Sequence, residues 1–233
     1  MKDVKIVVII SAKTEWKIIH EIFEEVYFQE SPYGEWFVTD MNVEEKKESI
    51  LFFYGGWGKI SAAASTQYVI DQWKPNLIIN MGTCGGFEGL VERGTTILVE
   101  RAIVYDIIEE MDDASEAIEH FSTDIDLSWL KGTYPQKVKR TSMATGDRDL
   151  QPNEVEDLNE KLGVIVGDWE SGAISWVAKR NQTRLLILRG VSDLVGRAGG
   201  EAYGKKGVFE ANTREIMRKF IGYLPDWIKI AIE

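Results

Sequence analysis

The chain has 233 residues, 44% of them hydrophobic and 28% charged, the make-up of a folded protein long enough for one sizeable α/β domain and too short for two comfortable ones. Its formal net charge of −11 and pI near 4.9 argue against nonspecific binding to nucleic acid or to an anionic membrane. A single cysteine, Cys84, rules out an intrachain disulfide and fits a reducing compartment.

The start, Met1-Lys2-Asp3-Val4-Lys5-Ile6, has charges where a secretory signal needs its apolar core, and no apolar stretch reaches the ~20 residues that span a bilayer. The expected location is therefore cytoplasmic. His20 and His120 lie far from each other and from Cys84, so no metal site is expected. Lys5 to Ile10 is a β-branched run, a first buried strand, and Ser11 to Trp16 leads into a helix carrying Ile18, Ile19, Ile22 and Phe23 on one face. Glu15 thus falls just past a strand's carboxyl end. A glutamate there is commonly only a partner for the helix dipole.

Glu35 to Thr39 and Ser49 to Tyr54 predict two strands joined by a solvated loop over Asn42 to Glu48. Gly55-Gly56-Trp57-Gly58-Lys59 then opens a helix running from Ile60 to Ile70. A glycine loop before a helix lets backbone N–H groups approach a ligand, although this one has neither P-loop nor dinucleotide spacing. Leu77 to Met81 predicts another buried strand, ending in a turn at Gly82-Thr83-Cys84-Gly85-Gly86-Phe87. Thr95 to Val99 is a strand that Ala102 to Asp106 continues or follows. Met111 to Thr133 is acidic and weakly periodic, a lid or dimer-facing segment. Val138 to Ala144 resumes a strand pattern, and a helix begins near Pro152.

From Val164 to Asp193 the chain concentrates its acids. Arg184 to Asp193 is an apolar run closed by Arg189, Ser192 and Asp193, the pattern of a strand buried on both faces; alternation puts Arg189, Val191 and Asp193 on one face. Ligands in α/β sheets sit at carboxyl strand ends, so Asp193 is a site candidate, with a structural pair to Arg189 as the alternative. Ala173, Ile174, Val177 and Ala178 recur at helical spacing, which places Glu170 at a helix start, with Asp168 and Trp169 just before it. A glycine-containing loop over Leu194 to Gly207 and an amphipathic helix over Val208 to Ile221 close the chain. Alternating strands and helices predict an α/β fold with helices on both faces of a sheet, as a single domain over residues 1–233.

Six separated motifs occur in one order: Ser11-Ala12-x-x-Glu15, Gly56-x-Gly58-Lys59, Asn80-x-Gly82-Thr83-x-Gly85-Gly86, Thr145-Gly146-Asp147, Asp168-x-Glu170 and Arg189-x-x-Ser192-Asp193. Together they resemble the nucleoside phosphorylase/nucleosidase superfamily, most closely its 5′-methylthioadenosine/S-adenosylhomocysteine nucleosidase branch. The resemblance implies a three-layer sandwich with a mixed central sheet flanked by helices, usually a homodimer, that cleaves the N-glycosidic bond of a purine nucleoside with no cofactor. On it Asp193 matches the acid aimed at N7 of the base, with Thr83 and Ser192 orienting it. Glu170 matches the residue holding the ribose hydroxyls, Glu15 the one activating water, and Arg189 the arginine fixing the carboxylate network. Thr83, Gly85, Trp57, Leu150, Asp168, Trp169, Arg189, Ser192 and Phe209 are the expected substrate contacts, Phe209 near the 5′ end.

The chain departs from the branch at Trp57, where a small aliphatic residue is usual, at Trp169, where methionine is usual, and at Asp168, where some members have glutamate. The segment after Asp106 also lacks the branch's aromatic pattern. A phosphate-dependent phosphorylase would carry a Gly-Asp-Pro loop and an arginine where this chain has Ser11-Ala12-Lys13 and Asn80-Met81, so water is the expected nucleophile, with Lys13 or Arg189 the phosphate ligand in the alternative. A third alternative is a binding protein whose pocket the two tryptophans fill. Tryptophans are more often core residues, and Cys84 has no histidine beside it to activate it.

Overall fold

In a computed structural model, residues 4–232 are described. Met1, Lys2 and Asp3, part of the charged start that argues against a secretory signal, lie outside them. The elements in order are β1 (Ile6–Ile10), α1 (Lys13–Ile22), β2 (Trp36–Val43), β3 (Lys46–Tyr54), α2 (Gly58–Trp73), β4 (Leu77–Phe87), β5 (Thr96–Val104) and α3 (Ala114–Phe121). There follow β6 (Thr123–Asp124), β7 (Lys139–Thr145), α4 (Val155–Leu162), β8 (Val166–Asp168), α5 (Ser171–Arg180), β9 (Arg184–Gly196), β10 (Gly199–Gly200) and α6 (Lys206–Ile232).

Strand β1 shows how the layers form. Ile6, Val8 and Ile10 pack with Trp16 and Ile19 of α1 and Phe220 and Trp227 of α6, whereas Val7 and Ile9 pack with Ala62 and Val69 of α2 and Ile174 and Ala178 of α5. The two-residue alternation of the strand thus feeds two cores, one on each face of the sheet. Among the described residues no helix is long and apolar enough to cross a membrane.

The sheet is mixed, and it corrects the expected open sandwich. Strands β9, β4, β1 and β3 run parallel side by side, and β2 closes one edge as a hairpin with β3. Beyond them β9 pairs with β5, β5 with β7, β7 with β8, and β8 returns to β4. Five strands therefore close on one another. Closure depends on β4, which has β1 as its neighbour over Leu77 to Asn80 and exchanges it for β8 at Gly85 and Gly86. A Cβ on Gly86 would fall 2.6 Å from Val91 and 2.7 Å from Val191, so a larger residue would wedge this crossing apart.

The predicted glycine turn after Met81 is therefore strand. The segment stays extended through Phe87, with a register shift against β9 between Cys84 and Gly85. Thr95 to Val99 and Ala102 to Asp106 likewise merge into β5, with an irregularity between Val99 and Arg101. The loop predicted over Asn42 to Glu48 shrinks to a tight turn, since charged side chains on a hairpin do not stop its backbone from pairing. The last helix runs on through Pro225 to Ile232.

Candidate active site

The carboxyl ends of β9, β4, β1 and β3 open into a cavity of about 750 Å³. Glu15, Thr83, Glu170, Ser192 and Asp193 line it, as do Trp57, Gly85, Leu150, Asp168, Trp169 and Phe209. Glu15 and Asp193, 178 positions apart in sequence, thus line one cavity because β1, which leads into the helix carrying Glu15, lies beside β4, and β4 beside β9. Arg189, expected among the substrate contacts, is not at the wall: it is 1% exposed and lies beneath the floor.

Each acid is held differently. Asp168 is saturated by protein donors: the Thr145 hydroxyl at 2.8 Å, the Ser171 hydroxyl at 2.5 Å, the Ser171 amide, and Arg189 Nε at 2.9 Å. It accepts from the first turn of α5 and neutralises Arg189, so most of its acceptor capacity is taken by the protein. Glu170, at the N-cap position of α5, makes no capping bond, and its Oε1 accepts instead from the amide of Gly58 at 3.1 Å. Division of labour between the two acids therefore frees Glu170 to face the cavity.

Glu15 is 3% exposed and accepts from the Thr83 amide at 2.6 Å, the Thr83 hydroxyl at 2.9 Å and the Ala12 amide at 3.2 Å. Thr83 thus orients Glu15 rather than Asp193, which corrects its expected role. A Cβ on the preceding Gly82 would stand 2.8 Å from both Glu15 carboxylate oxygens, so glycine is required for that approach. Ser192 Oγ lies 2.6 Å from Asp193 Oδ1, as expected, and 3.2 Å from the Cys84 carbonyl. Asp193 does not pair with Arg189. A bulge leaves Ser192 without a partner on β4, so alternation no longer carries Asp193 onto the arginine's face.

Burial raises the pKa of Glu15, Glu170 and Asp193. For Glu170 burial and the negative charge of Asp168 push it to about 8. For Glu15, burial outweighs the opposing field of Arg189 and the two Thr83 bonds; for Asp193, it outweighs the Ser192 bond. A carboxyl whose folded pKa lies above its unfolded value holds an extra proton in the folded state, so stability falls as pH rises across that interval. Denaturant midpoints are therefore expected to fall between about pH 4.5 and 8, and Glu170→Gln to flatten part of that slope. An unchanged slope in the variant would show that Glu170 titrates normally.

Two contributors had no role assigned from the sequence. Asn80, present there as the first residue of a motif, is fully buried; its side chain donates to the Ile9 carbonyl at 2.9 Å and accepts from Arg189 Nη2 at 2.5 Å. A lone amide inside the apolar run Leu77 to Met81 is the signal for such a role, because a buried polar group needs partners. Tyr54 lines the cavity at the end of β3 with its ring stacked on Trp16 at 5.6 Å, and nothing in its local sequence marks it. Asp147, whose expected role was to order its own loop, accepts from the Lys59 amide at 2.7 Å and so ties the glycine loop to the end of β7. Cys84 is buried, with its thiol pKa raised by burial, an inert setting.

A mixed, partly closed sheet with buried carboxyls gathered at its parallel strand ends defines an α/β protein with a small-molecule site of acid–base type. The chain belongs to the phosphorylase superfamily, whose family model matches residues 5–223. Among curated proteins it is similar to the 5′-methylthioadenosine/S-adenosylhomocysteine nucleosidases of Bacillus velezensis, 26% identical over 67% of this chain and 73% of that protein, and of Thermotoga maritima, 26% identical over 68% and 72%. Among solved structures, the Streptococcus pyogenes S-adenosylhomocysteine nucleosidase in complex with 5-methylthiotubericidin has the same fold, with a TM-score of 0.75, 15% identity and coverage of 98% of both chains. The Streptococcus pneumoniae MTA/SAH nucleosidase in complex with 8-aminoadenine gives 0.76, 16%, and 97% and 99%.

Proposed function

We propose that this protein hydrolyses the N-glycosidic bond of 5′-methylthioadenosine or S-adenosylhomocysteine, releasing adenine and the thioribose. The observation that carries the reading is the placing of two buried acids, Asp193 on β9 and Glu15 in the first turn of α1 after β1, at one cavity with Glu170 also facing it. Asp193 gives its proton to N7 of the base as the C1′–N9 bond breaks and the bonding electrons leave with the purine. The sugar gains oxocarbenium character, and Glu170 binds the 2′ and 3′ hydroxyls beside that charge. Glu15, oriented by Thr83, accepts a proton from the water that adds to C1′. Arg189 acts from beneath: its positive field partly opposes the rise in the pKa of Glu15 and of Glu170. The relatives' names support the substrate class.

Phosphorolysis is the second reading. With Arg189 committed to Asp168 and Asn80, phosphate would fall to Lys13 at the cavity wall, where Arg148 and Lys206 are paired with Glu154 and Glu210. Occlusion by tryptophan, the basis of a binding-protein reading, is opposed by the open cavity: Trp57 and Trp169 stack on each other at its wall, 4.9 Å apart, instead of filling it or joining the core. The working unit is a cytoplasmic homodimer in this reading, and the exposed apolar side chains of Ile60, Ile108 and Met111 support the pairing of two copies.

Chromatography of products from methylthioadenosine, S-adenosylhomocysteine, adenosine and inosine, each with and without phosphate, tests the proposal. Adenine from the first two without phosphate is the expected result. A sugar 1-phosphate formed only when phosphate is present would establish the phosphorylase, and no turnover of any of the four would sink both enzymes.

A further inference from the structure

Asp193 is held at an irregular point of its strand. Ser192 has no partner on β4, and Asp193 resumes the pairing opposite Gly85. A bulge of this kind re-aims a side chain, so the β4–β9 ladder alone does not fix where the carboxyl points. Two side chains from outside that ladder grip the backbone on either side of the acid. Asn212 of α6 donates to the Ser192 carbonyl at 2.7 Å. Glu201, just past β10, accepts from the Leu194 amide at 3.0 Å through Oε2, and its own amide donates to the Leu194 carbonyl at 2.9 Å.

The second grip replaces a piece of sheet. β10 runs antiparallel to β9 with Gly199 opposite Gly196 and Gly200 opposite Val195, so Glu201 falls opposite Leu194. A hydrogen-bonded antiparallel pair exchanges two backbone bonds. Here the chain turns away at Glu201, and its carboxylate makes the bond to the Leu194 amide that a backbone carbonyl would make. The substitution puts a negative charge next to the residue that follows the acid. Arg93 Nε stands 3.6 Å from the same carboxylate oxygen.

Few other charges face Asp193. The titratable groups around it are Glu201, Asp149 from the connection between β7 and α4, the Tyr203 hydroxyl and the Cys84 thiol of β4. Burial raises the pKa of Tyr203 and of Cys84, so both are neutral where a carboxyl titrates. The cations at the cavity wall are Lys13, at the start of α1, and Arg148 and Lys206, which are paired with Glu154 and Glu210; Arg189 on the same strand is committed to Asp168. Burial, opposed by the Ser192 bond, does most to hold the proton on Asp193, and the charges of Glu201 and Asp149 add to it.

We infer that Glu201, steadied by Arg93, is a positioning residue for Asp193: it fixes the backbone that follows the bulge and faces the acid with a negative charge. The inference rests on the reading of Asp193 as the acid that protonates the base.

Profiles of kcat/KM against pH for wild type, Glu201→Gln, Glu201→Ala and Arg93→Gln test it in the full-length protein. Glutamine keeps an acceptor for the Leu194 amide and removes the charge, so the basic limb should move to lower pH by about 0.5 unit. Arg93→Gln leaves the Glu201 charge without its cation, and the limb should move to higher pH. Alanine removes the grip as well, and its plateau below the limb is expected to lie at least about fivefold under that of Glu201→Gln, because a displaced acid transfers its proton less well. The titration is also read without turnover, from the amide nitrogen shifts of Ser192 and Asp193 in NMR spectra, with the Asp193 step identified by its loss in Asp193→Asn. If no nucleoside is cleaved, the nucleosidase reading fails while the NMR titration still decides the inference. Titrations that stay in place in Glu201→Gln and Arg93→Gln, or that move the same way in both, would overturn it, since a residue that only steadies the hairpin does not give shifts of opposite sign. Equal plateaus for alanine and glutamine would overturn it too.

Discussion

Asp193→Asn is expected to lower kcat for nucleoside cleavage by ~10²–10⁴, the range over which a positioned general acid contributes. Asparagine keeps the shape of the side chain and an acceptor for the Ser192 hydroxyl, now 2.6 Å from the carboxyl oxygen, so substrate binding should change far less than turnover. The fold should be unharmed, because no ion pair to Asp193 is broken and a carboxyl whose pKa burial has raised gains stability when its charge is removed. The measurement is a pair of pH profiles of kcat/KM. Wild-type activity should decline on the basic side as the acid loses its proton, and that limb should be absent from whatever activity the variant retains. A rate within about tenfold of wild type would show that the base leaves without this proton, and Ser192 and Asp193 would then be binding groups only.

The placing of such acids was legible from short-range pattern because each marks a local boundary. Apolar runs ending at Ser11 and at Asp193 announce buried strands, and ligand-facing polar groups accumulate where such strands stop. What each acid does with its oxygens was not legible, since their partners come from other strands. Thr83 finds Glu15 because β4 lies beside β1, and Arg189 finds Asp168 instead of Asp193 because a bulge intervenes after Val191. Closure of the sheet was hidden for the same reason. A glycine segment that looks like a turn in isolation stays extended when strands on both sides supply its hydrogen bonds, and only the spacing to Val91 and Val191 explains why it lacks side chains. Trp57 departs from the general expectation of burial because the glycines on either side of it fix its backbone in a loop at the surface, whereas Trp169 is half-buried.

Arg189→Met should be the most destabilising single substitution in the site. The guanidinium and the Asp168 carboxylate are both almost wholly buried, and the charge left on Asp168 would have no cation in reach of its oxygens while Asn80 Oδ1 lost its donor. Removing one member of such a pair typically costs about 3–5 kcal/mol, whereas replacing both by neutral groups of similar volume is often close to neutral. Urea unfolding of Arg189→Met, Asp168→Asn and the double variant separates the two effects. The double variant is expected to recover most of the stability lost in Arg189→Met, since Thr145 and Ser171 can still satisfy an amide at position 168. Activity should not return with it. Arg189 opposes the rise in the pKa of Glu15, so without the cation Glu15 holds its proton to higher pH in the double variant too, and the acidic limb of the rate profile should move upward. Recovery of stability without recovery of that limb would separate the two tasks of the buried guanidinium, holding the floor together and keeping Glu15 able to take a proton from water; recovery of both would mean that Asp168 alone needed it.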